Sequence, residues 1–357
     1  MYIGVAISGG VDSLCSTIRL KELGHKVIAL HALFLDEDAR TIEQTVERMR
    51  HTFNALEIPL QIVDLRQEFQ TFVVGNALRA WQKGETPNPC ANCNRLIKFG
   101  RLLQYAKDLG CDRLATGHYA NISCTNGQYF FAPPRDRQKD QTYFLSLVER
   151  DVLAQIPFPL SGLTKPECRQ FVKDQGGVIP NPVESQDVCF LPDNEARSDF
   201  FAKNWAKMGL SQPEAGPIFL YNNGQSKEIG THQGLWRYTE GQRRGLNIPY
   251  NEGLYVLKKD LSTNSLIVGP RRYLGMLSCS CPDPNIFAWA EGEEFLVKLR
   301  YRNQPSKCTV SLKNDRLYCE FKEPVFPTAI GQVAAVLDTE GRIRAGGIVD
   351  SLEMAYV

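Results

Sequence analysis

The stretch YIGVAISGGVDS, residues 2–13, joins a short apolar run to a glycine-rich turn and the start of a helical pattern. Glycine tolerates positive φ and lets a ligand approach the backbone closely. The N–H groups that open the following helix form a cradle for an anion, reinforced by the helix dipole. Because no lysine follows the glycines, this is not the GxxxxGK[ST] loop that holds phosphates for hydrolysis. The sequence predicts a phosphate-binding turn, with an ordinary glycine-rich turn as the weaker alternative.

The alternation of strand and helix continues through the first part of the chain. Apolar runs at 27–34 and 59–65 predict two more strands, and residues 39–56 between them have helical spacing. An amphipathic helix at 95–110 and a strand at 112–120 follow. Strands that alternate with helices predict an α/β fold built on a doubly wound parallel sheet.

The character of the sequence changes near residue 210. Short runs of Val, Ile, Leu and Tyr are separated by NNG, NEG, NDR and TEG turns, which predicts antiparallel β-structure and most naturally barrels. Because this region is too long for one small barrel, we divide it near the CPDPN stretch (281–285). The expected domains are a catalytic domain at 1–198, a central domain at 199–274 and a C-terminal β-barrel at 275–357.

Charge and hydropathy exclude several classes of protein. The 41 Lys and Arg residues balance the 40 Asp and Glu residues, so a broadly basic surface is not indicated. There is no run of 18 apolar residues, and the N-terminus lacks the charged leader of a signal peptide. These features predict a cytoplasmic protein without a membrane span. In the central region Trp236, Tyr238 and Tyr250 lie among basic residues, where they are able to stack on bases or to form the core.

Eleven cysteines are many for a chain without an oxidising context, and most are expected to be small buried hydrophobes. Cys90 and Cys93 differ because they lie in the polar, proline-rich stretch TPNPCANCN (86–94). Cys189 follows a second polar stretch, ESQD. These three cysteines are the candidates for chemistry.

Several motifs together resemble one known family, in family order and over essentially the whole chain. They are SGGVDS (8–13), TPNPCANCNRLIKFG (86–100), LATGHYA (114–120), KDQTYFL (139–145), ESQDVCF (184–190), IGTHQGLWRYTEGQRRGL (229–246), VKLRYRNQ (297–304) and PTAIGQVAAVLDTEGRIRAGGIV (327–349). The chain resembles the PP-loop ATP pyrophosphatases and, within them, the tRNA-specific 2-thiouridylases of the MnmA type. The resemblance implies a nucleotide-binding domain of the adenine nucleotide alpha hydrolase type, a small central domain and a C-terminal β-barrel.

The resemblance also implies a reaction and its partners. ATP with Mg²⁺ adenylates the C2 oxygen of the wobble uridine in the tRNA anticodon loop, and sulfur from a donor protein or sulfide then replaces that oxygen. The implied ATP contacts are Ala6, Ile7, Ser8, Gly9, Gly10, Val11, Asp12, Ser13, Ala32 and Gly117. The implied tRNA contacts are Asn88, Pro89, Cys90, Lys139, Asp140, Gln141, Arg300 and Tyr301. Arg300 has an alternative as a surface charge of the barrel, whereas nothing in a helix start requires the triplet at 139–141.

One position departs from the family pattern. The residue after PNP is usually an Asp, taken as an acid/base group, and here it is Cys90. With Cys90 and Cys93 on one loop and Cys189 from elsewhere, three thiolates are able to hold a [4Fe–4S] cluster with one open iron. Two alternatives remain open. One is zinc with a fourth ligand such as His118 or water. The other is a metal-free relay in which Cys189 carries a persulfide and Cys93 resolves it.

Two other functional classes are compatible with a PP-loop. One is a ligase or amidotransferase for a small carboxylate or carbonyl substrate, which the β-rich C-terminal half fits poorly. The other is a catalytically silent RNA-binding relative, which the intact SGGVDS loop and the three cysteines disfavour.

Overall fold

The computed structural model of the chain describes residues 1–177, 179, 188–192, 197–289 and 294–356. The α-helices are α1 Val11–Glu22, α2 Ala39–Ala55, α3 Arg66–Phe69, α4 Gly75–Gln82, α5 Pro89–Asn92, α6 Leu103–Asp108, α7 Lys165–Asp174 and α8 Arg197–Lys207. Two π-helical segments, Gln70–Val74 and Cys93–Leu102, connect α3 to α4 and α5 to α6. The described residues also form 3₁₀ turns at Thr142–Leu145, Arg150–Gln155, Leu235–Arg237 and Arg271–Tyr273. None of these helices is long and apolar enough to cross a membrane.

The strands fall into two groups along the chain. The first group is β1 Tyr2–Ala6, β2 Lys26–Leu33, β3 Leu60–Asp64, β4 Arg113–Ala115, β5 Asn121–Thr125 and β6 Gln128–Ala132. The second group is β7 Gly216–Asn222, β8 Gln225–His232, β9 Leu254–Asp260, β10 Ser265–Pro270, β11 Met276–Pro282, β12 Asn285–Ile286, β13 Phe295–Lys298, β14 Ser306–Lys313, β15 Arg316–Val325, β16 Val333–Leu337, β17 Ile343–Ile348 and β18 Ser351–Met354.

The parallel sheet confirms the α/β prediction for the first half. Its order is β3-β2-β1-β4, and every neighbouring pair is parallel. Side chains of β2 alternate between two hydrophobic cores, with Val27 and Ala29 in one and Ile28 and Leu30 in the other. Both faces of the sheet are therefore covered, as a doubly wound fold requires.

The second half contains two sheets. Strands β8-β7-β10-β9 form a four-stranded sheet, and β12-β17-β16-β13-β14-β15-β11-β18 form an antiparallel eight-stranded sheet. In β16, Ala334 and Val336 point into the core of the eight-stranded sheet, whereas Val333 and Ala335 join the core of the parallel-sheet region. At Gly346 a Cβ would overlap the backbone of Ser146, so the two regions pack backbone to backbone there.

The structure corrects three local predictions. The helix predicted from residue 95 begins at Pro89, so Cys90 and Cys93 are helical rather than on a loop. The strand predicted at 112–120 is only Arg113–Ala115, because the chain turns away after it. A hairpin, β5–β6, follows that sequence reasoning did not predict.

Candidate active site

The PP-loop connects β1 to α1 at the carboxyl edge of the parallel sheet. Gly9 has a φ of 85°, a conformation that few residues other than glycine adopt. The hydroxyl of Ser13 donates to the carbonyl of Gly10 at 3.0 Å, and the Ser8 and Ser13 hydroxyl oxygens are 3.4 Å apart. The loop thus folds back on the first turn of α1, and its N–H groups lie where an anion would bind.

Asp12, predicted to contact ATP, is engaged by other side chains of the protein. The Lys165 ammonium, nearly buried on α7, donates to Oδ1 at 2.8 Å and to Oδ2 at 2.7 Å. The Tyr119 hydroxyl donates to Oδ1 at 3.1 Å. Lys165 therefore neutralises a carboxylate that would otherwise repel phosphate groups at the loop.

Two predicted ATP residues come from neighbouring strands. A Cβ on Gly117 would lie 2.8 Å from the Ser13 nitrogen, so the segment after β4 rests directly on the PP-loop. Ala32, near the end of β2, is half-buried and pairs with Val63. Since β1 lies between β2 and β4, these segments meet at the carboxyl ends of the strands, where doubly wound sheets bind ligands.

The PNPC motif forms a helix start. The Asn88 side chain accepts from the Ala91 N–H at 3.1 Å, and Pro89 occupies the first turn, where its missing N–H costs nothing. Cys90 and Cys93, three residues apart in a helix, lie on the same face. Cys90 is half-buried, and Cys93 is only 9% exposed.

The three candidate cysteines influence one another electrostatically. Burial raises the pKa of Cys93 to about 12, Lys98 opposes the shift, and Cys189 and Cys90 add to it. Burial also raises the pKa of Cys90, again opposed by Lys98. Cys189 is exposed, and its pKa is raised by desolvation and by Cys90, with Lys98 opposing the shift. Among the residues that the structure describes, the charge of Lys98 therefore acts on all three thiols.

Lys98 is a site residue that sequence reasoning missed. It is five residues after Cys93 in a π-helical segment, whose i→i+5 hydrogen bonds bring residues five apart onto nearly the same face. An α-helical reading would have placed Lys98 well round the helix from Cys93. The spacing of apolar residues does not reveal a π-helix. The only sequence signal for Lys98 was that it follows Cys93 by five positions in CNRLIK.

His118 connects the cysteine helix to the PP-loop. Its Nε2 lies 3.4 Å from the Lys98 Nζ, and its Nδ1 lies 2.8 Å from the Thr116 hydroxyl. Burial, and then the charge of Lys98, hold the pKa of His118 well below its usual value. The neutral ring accepts from Lys98, while its neighbour Gly117 rests on the PP-loop. The segment that follows β4 therefore contacts both the phosphate loop and the helix that carries Cys90 and Cys93.

The thiols as they lie do not form a metal-binding set. In the parts of the chain that the structure describes, no group of three or more His, Cys, Asp or Glu side chains is arranged to hold a metal ion. Cys90, Cys93 and Cys189 are close enough to perturb one another but are not gathered as ligands of a cluster or of zinc. Residues 184–187 of the ESQDVCF motif lie outside the described residues.

The triplet predicted to contact tRNA has a structural explanation. The Asp140 carboxylate accepts from both the N–H and the hydroxyl of Thr142, at 2.9 and 2.7 Å, which caps the 3₁₀ turn. The Gln141 side chain accepts from the Tyr119 N–H at 2.9 Å. The expectation that nothing in a helix start requires this triplet was wrong for these two residues. Lys139 is exposed.

Arg300 is not a simple surface charge. Its guanidinium donates to the Glu240 carbonyl at 2.6 Å and lies 5.2 Å from the ring centre of Phe326. The neighbouring Tyr301 ring is 4.6 Å from the ring of Phe144. Both residues therefore belong to contacts between separate segments of the chain, and any RNA contact would use their remaining exposed atoms.

Two of the three central aromatic residues, Trp236 and Tyr238, do not form an open stacking surface, whereas Tyr250 is exposed. Trp236 packs against Phe201 and Trp205 of α8, with ring centres 4.6 and 5.4 Å away. Tyr238 is half-buried against His232. The core reading of Trp236 is therefore the correct one.

Three family models match successive parts of the chain. They are described as the tRNA methyl transferase HUP domain over residues 1–193, the tRNA methyl transferase PRC-barrel domain over 209–270 and the aminomethyltransferase beta-barrel domain over 279–348. Among solved structures, the U34-tRNA thiolase NcsA from Methanococcus maripaludis with its [4Fe-4S] cluster aligns with 58% of this chain and 67% of its own. The TM-score of that alignment is 0.36 and the sequence identity is 18%, so the likeness is slight.

Curated relatives match over nearly the full length. A tRNA-specific 2-thiouridylase MnmA from Nitratidesulfovibrio vulgaris (strain DP4) is 40% identical over 353 residues, which cover 98% of this chain and 99% of the relative. One of the same name from Oleidesulfovibrio alaskensis is also 40% identical, over 99% of this chain and 100% of its own. The chain therefore belongs to the MnmA family of tRNA-specific 2-thiouridylases.

Proposed function

We propose that this protein catalyses ATP-dependent 2-thiolation of the wobble uridine of tRNA. Family membership supports the reaction class, and one contact carries the structural argument. Gly117 rests on the PP-loop at Ser13, while the adjacent His118 contacts Lys98 on the cysteine helix. A site for adenylation and a site for sulfur delivery are thereby adjacent, as a substrate that must visit both requires.

The first step activates a poor leaving group. The uracil C2 oxygen attacks the α-phosphorus of ATP, which arrives with Mg²⁺, and pyrophosphate leaves. We assign phosphate binding to the N–H groups of residues 8–13 and to the Ser8 and Ser13 hydroxyls. Helix N-termini stabilise phosphate charge in this way. Ala6, Ala32 and Gly117 are assigned to the walls around the nucleotide.

For the second step we propose the persulfide relay. The terminal sulfur of a Cys189 persulfide attacks C2, and AMP leaves with the original oxygen. The Cys93 thiolate then attacks the Cys189 sulfur, so that the thiocarbonyl is released and a Cys93–Cys189 disulfide forms. An external thiol reductant restores both thiols. Lys98 favours the anionic sulfur of each partner, which matters because burial otherwise keeps Cys93 protonated.

Cys90 is the point at which the relay and the cluster hypotheses differ. Its raised pKa keeps the thiol neutral near pH 7, so it cannot replace the carboxylate found there in the usual family pattern. In the relay, Cys90 together with Asn88 and Pro89 contacts the target base. In the alternative, Cys90, Cys93 and Cys189 would first have to draw together to hold a [4Fe–4S] cluster.

On the RNA side we propose that the anticodon loop presents an unstacked uridine to the Asn88–Cys90 segment. Loop bases can be splayed out at low cost, whereas C2 of a paired base is inaccessible. Exposed atoms of Lys139, Arg300 and Tyr301 are assigned to the RNA. We further propose domain boundaries at 198/199 and 274/275, a protein persulfide as sulfur donor, and action in the cytoplasm.

The test is reconstituted thiolation of a tRNA transcript with ATP, Mg²⁺ and a persulfide-generating cysteine desulfurase, followed by nucleoside mass spectrometry. We expect 2-thiouridine with the parent chain and none with Cys189→Ser. Cys124→Ser is the matched control, because Cys124 is also exposed but lies on the β5 hairpin. Absence of 2-thiouridine with the parent, or equal activity of Cys189→Ser, would contradict the proposal.

A further inference from the structure

The segment that leads into the PNPC motif is held from two other regions of the chain. On one side, the Thr86 N–H donates to the Ile330 carbonyl at 2.8 Å. The Gln332 side chain donates to the carbonyls of Thr86 and Pro87 at 2.8 and 3.1 Å. The loop before β16 therefore fixes the main chain of residues 86–87, immediately before the residues assigned to the target base.

On the other side, the segment is held by a buried lysine of the central sheet. The Lys259 side chain, on β9, is only 1% exposed. Its ammonium donates to the Gly84 carbonyl at 2.6 Å and to the Thr86 hydroxyl at 2.9 Å, and lies 3.8 Å from Oε2 of Glu240. Two of these contacts are hydrogen bonds to the 84–86 segment, and the third is an ion pair too long for a hydrogen bond.

Glu240 completes the arrangement. Its side chain is 2% exposed, and among the residues that the structure describes Oε2 accepts no hydrogen bond. Lys259 is the cation beside it, and the Glu240 carbonyl accepts from Arg300. The pair thus joins the TEGQRRGL stretch of the central region to the segment at 84–86.

Burying two charges is a poor way to gain stability, since apolar side chains of similar size usually serve at least as well. What a buried ammonium gives through its two hydrogen bonds is direction, because a hydrogen bond is specific in distance and angle. Here two of the three contacts of the Lys259 ammonium are with Gly84 and Thr86, which lie within the five residues before Pro89. An apolar replacement would fill the same space without fixing where that segment lies.

We propose that Lys259, held in place by Glu240, is a positioning residue that sets the location of the target-base segment Asn88–Cys90. It acts through Gly84 and Thr86 and touches neither ATP nor the reacting atoms. Loss of the Lys259 hydrogen bonds leaves tRNA binding intact but misplaces the target base relative to the sulfur. The inference rests on the proposed thiolation reaction.

The experiment is a double-mutant cycle on the complete chain with Lys259→Met and Thr86→Val. Both replacements keep the side-chain size, and Thr86→Val removes the acceptor without leaving Glu240 unpaired. Lys258→Met, the adjacent half-buried lysine, is the matched control. The readouts are the single-turnover thiolation rate with enzyme in excess, the tRNA dissociation constant, and the rate at which a maleimide alkylates Cys90.

We expect each single variant to lower the thiolation rate about tenfold, since small displacements of reacting groups have effects of this order. The tRNA dissociation constant should change less than twofold and Cys90 should be alkylated faster. The double variant should be no slower than Lys259→Met, because both changes break the same contact. If Lys259→Met does not fold, Thr86→Val and the apolar pair Lys259→Met with Glu240→Leu carry the same expectation.

Three results would overturn the inference. They are a thiolation rate within twofold of the parent in Thr86→Val, losses that add fully in the double variant, and a loss of rate matched by an equal loss of tRNA affinity. An inactive parent chain would instead contradict the proposed function. An active parent with unaffected variants would contradict the positioning role alone.

Discussion

The Lys165 ammonium contacts both carboxylate oxygens of Asp12, at 2.8 and 2.7 Å, beneath the first turn of the PP-loop helix. Lys165 belongs to α7, more than 150 residues away along the chain. A carboxylate next to a phosphate cradle would oppose anion binding, and this pairing removes that opposition. The anion site therefore depends on α7 as well as on the SGGVDS stretch.

Replacing Lys165 by Met should weaken ATP binding and the fold together. The Asp12 charge would lose its main partner, which we expect to lower ATP affinity at least tenfold and the free energy of unfolding by about 2 kcal/mol. Calorimetric titration and urea unfolding measure the two effects. Lys173→Met, an exposed position on the same helix, should change neither. ATP affinity equal to that of the parent would refute this role.

Gly117→Ala should displace the PP-loop. The added Cβ would lie 2.8 Å from the Ser13 nitrogen and 2.9 Å from the Asp12 carbonyl carbon, closer than atoms normally approach. We expect a cost of about 2 kcal/mol in the free energy of unfolding and a measurable loss of ATP affinity. Gly162→Ala is the control, since its Cβ would meet no atom within 4 Å. The contact is refuted if both variants bind ATP equally well.

Lowering the pH should reveal how much the neutral form of His118 contributes to the free energy of unfolding. Its pKa in the folded state is well below 6.5, so the unfolded chain takes up a proton first as the pH falls. The stability it contributes is present above about pH 6.5 and is lost progressively as the pH falls below that value. His118→Gln should therefore lose less free energy of unfolding between pH 7.5 and 5 than the parent. The exposed His51→Gln should behave like the parent, and identical pH profiles for all three would refute the assignment.

Substitutions of Lys139 and Asp140, neighbours at the predicted tRNA contact, should have different effects, one on tRNA binding and the other on stability. Lys139→Ala should weaken tRNA binding severalfold and reduce the slope of log affinity against log salt by about 1. Asp140→Ala removes the cap on Thr142 and should cost about 1 kcal/mol of stability. If both variants show only a stability effect, the triplet has a structural role alone.

The sequence was sufficient for features with a local signature. The alternating apolar runs predicted the parallel sheet, and the glycine and serine pattern at 8–13 predicted the turn that the structure shows. The sequence does not predict Asn88 as a helix cap or the π-helical turn at Lys98, because the proline-rich, polar motif favours a loop. A segment of ten residues is too short for the spacing of its apolar residues to distinguish a π-helix from an α-helix.

Long-range pairings could not be predicted in the same way. The contacts of Lys165 with Asp12 and of Lys259 with Thr86 join residues that are 153 and 173 positions apart. Nothing in the local sequence of either lysine distinguishes it from a surface lysine. Asp140 and Gln141 also make local hydrogen bonds that the motif did not predict, and their contact with tRNA stays a prediction.

The route of the sulfur atom is the most direct test of the account. The chain is loaded anaerobically with a ³⁵S-labelled persulfide donor, digested and mapped by mass spectrometry, and its iron content and visible spectrum are recorded. The account predicts one additional sulfur on the Cys189 peptide that passes into tRNA when ATP is added. The account would be contradicted if the protein is coloured, contains iron and thiolates tRNA from inorganic sulfide while Cys189 never carries the label.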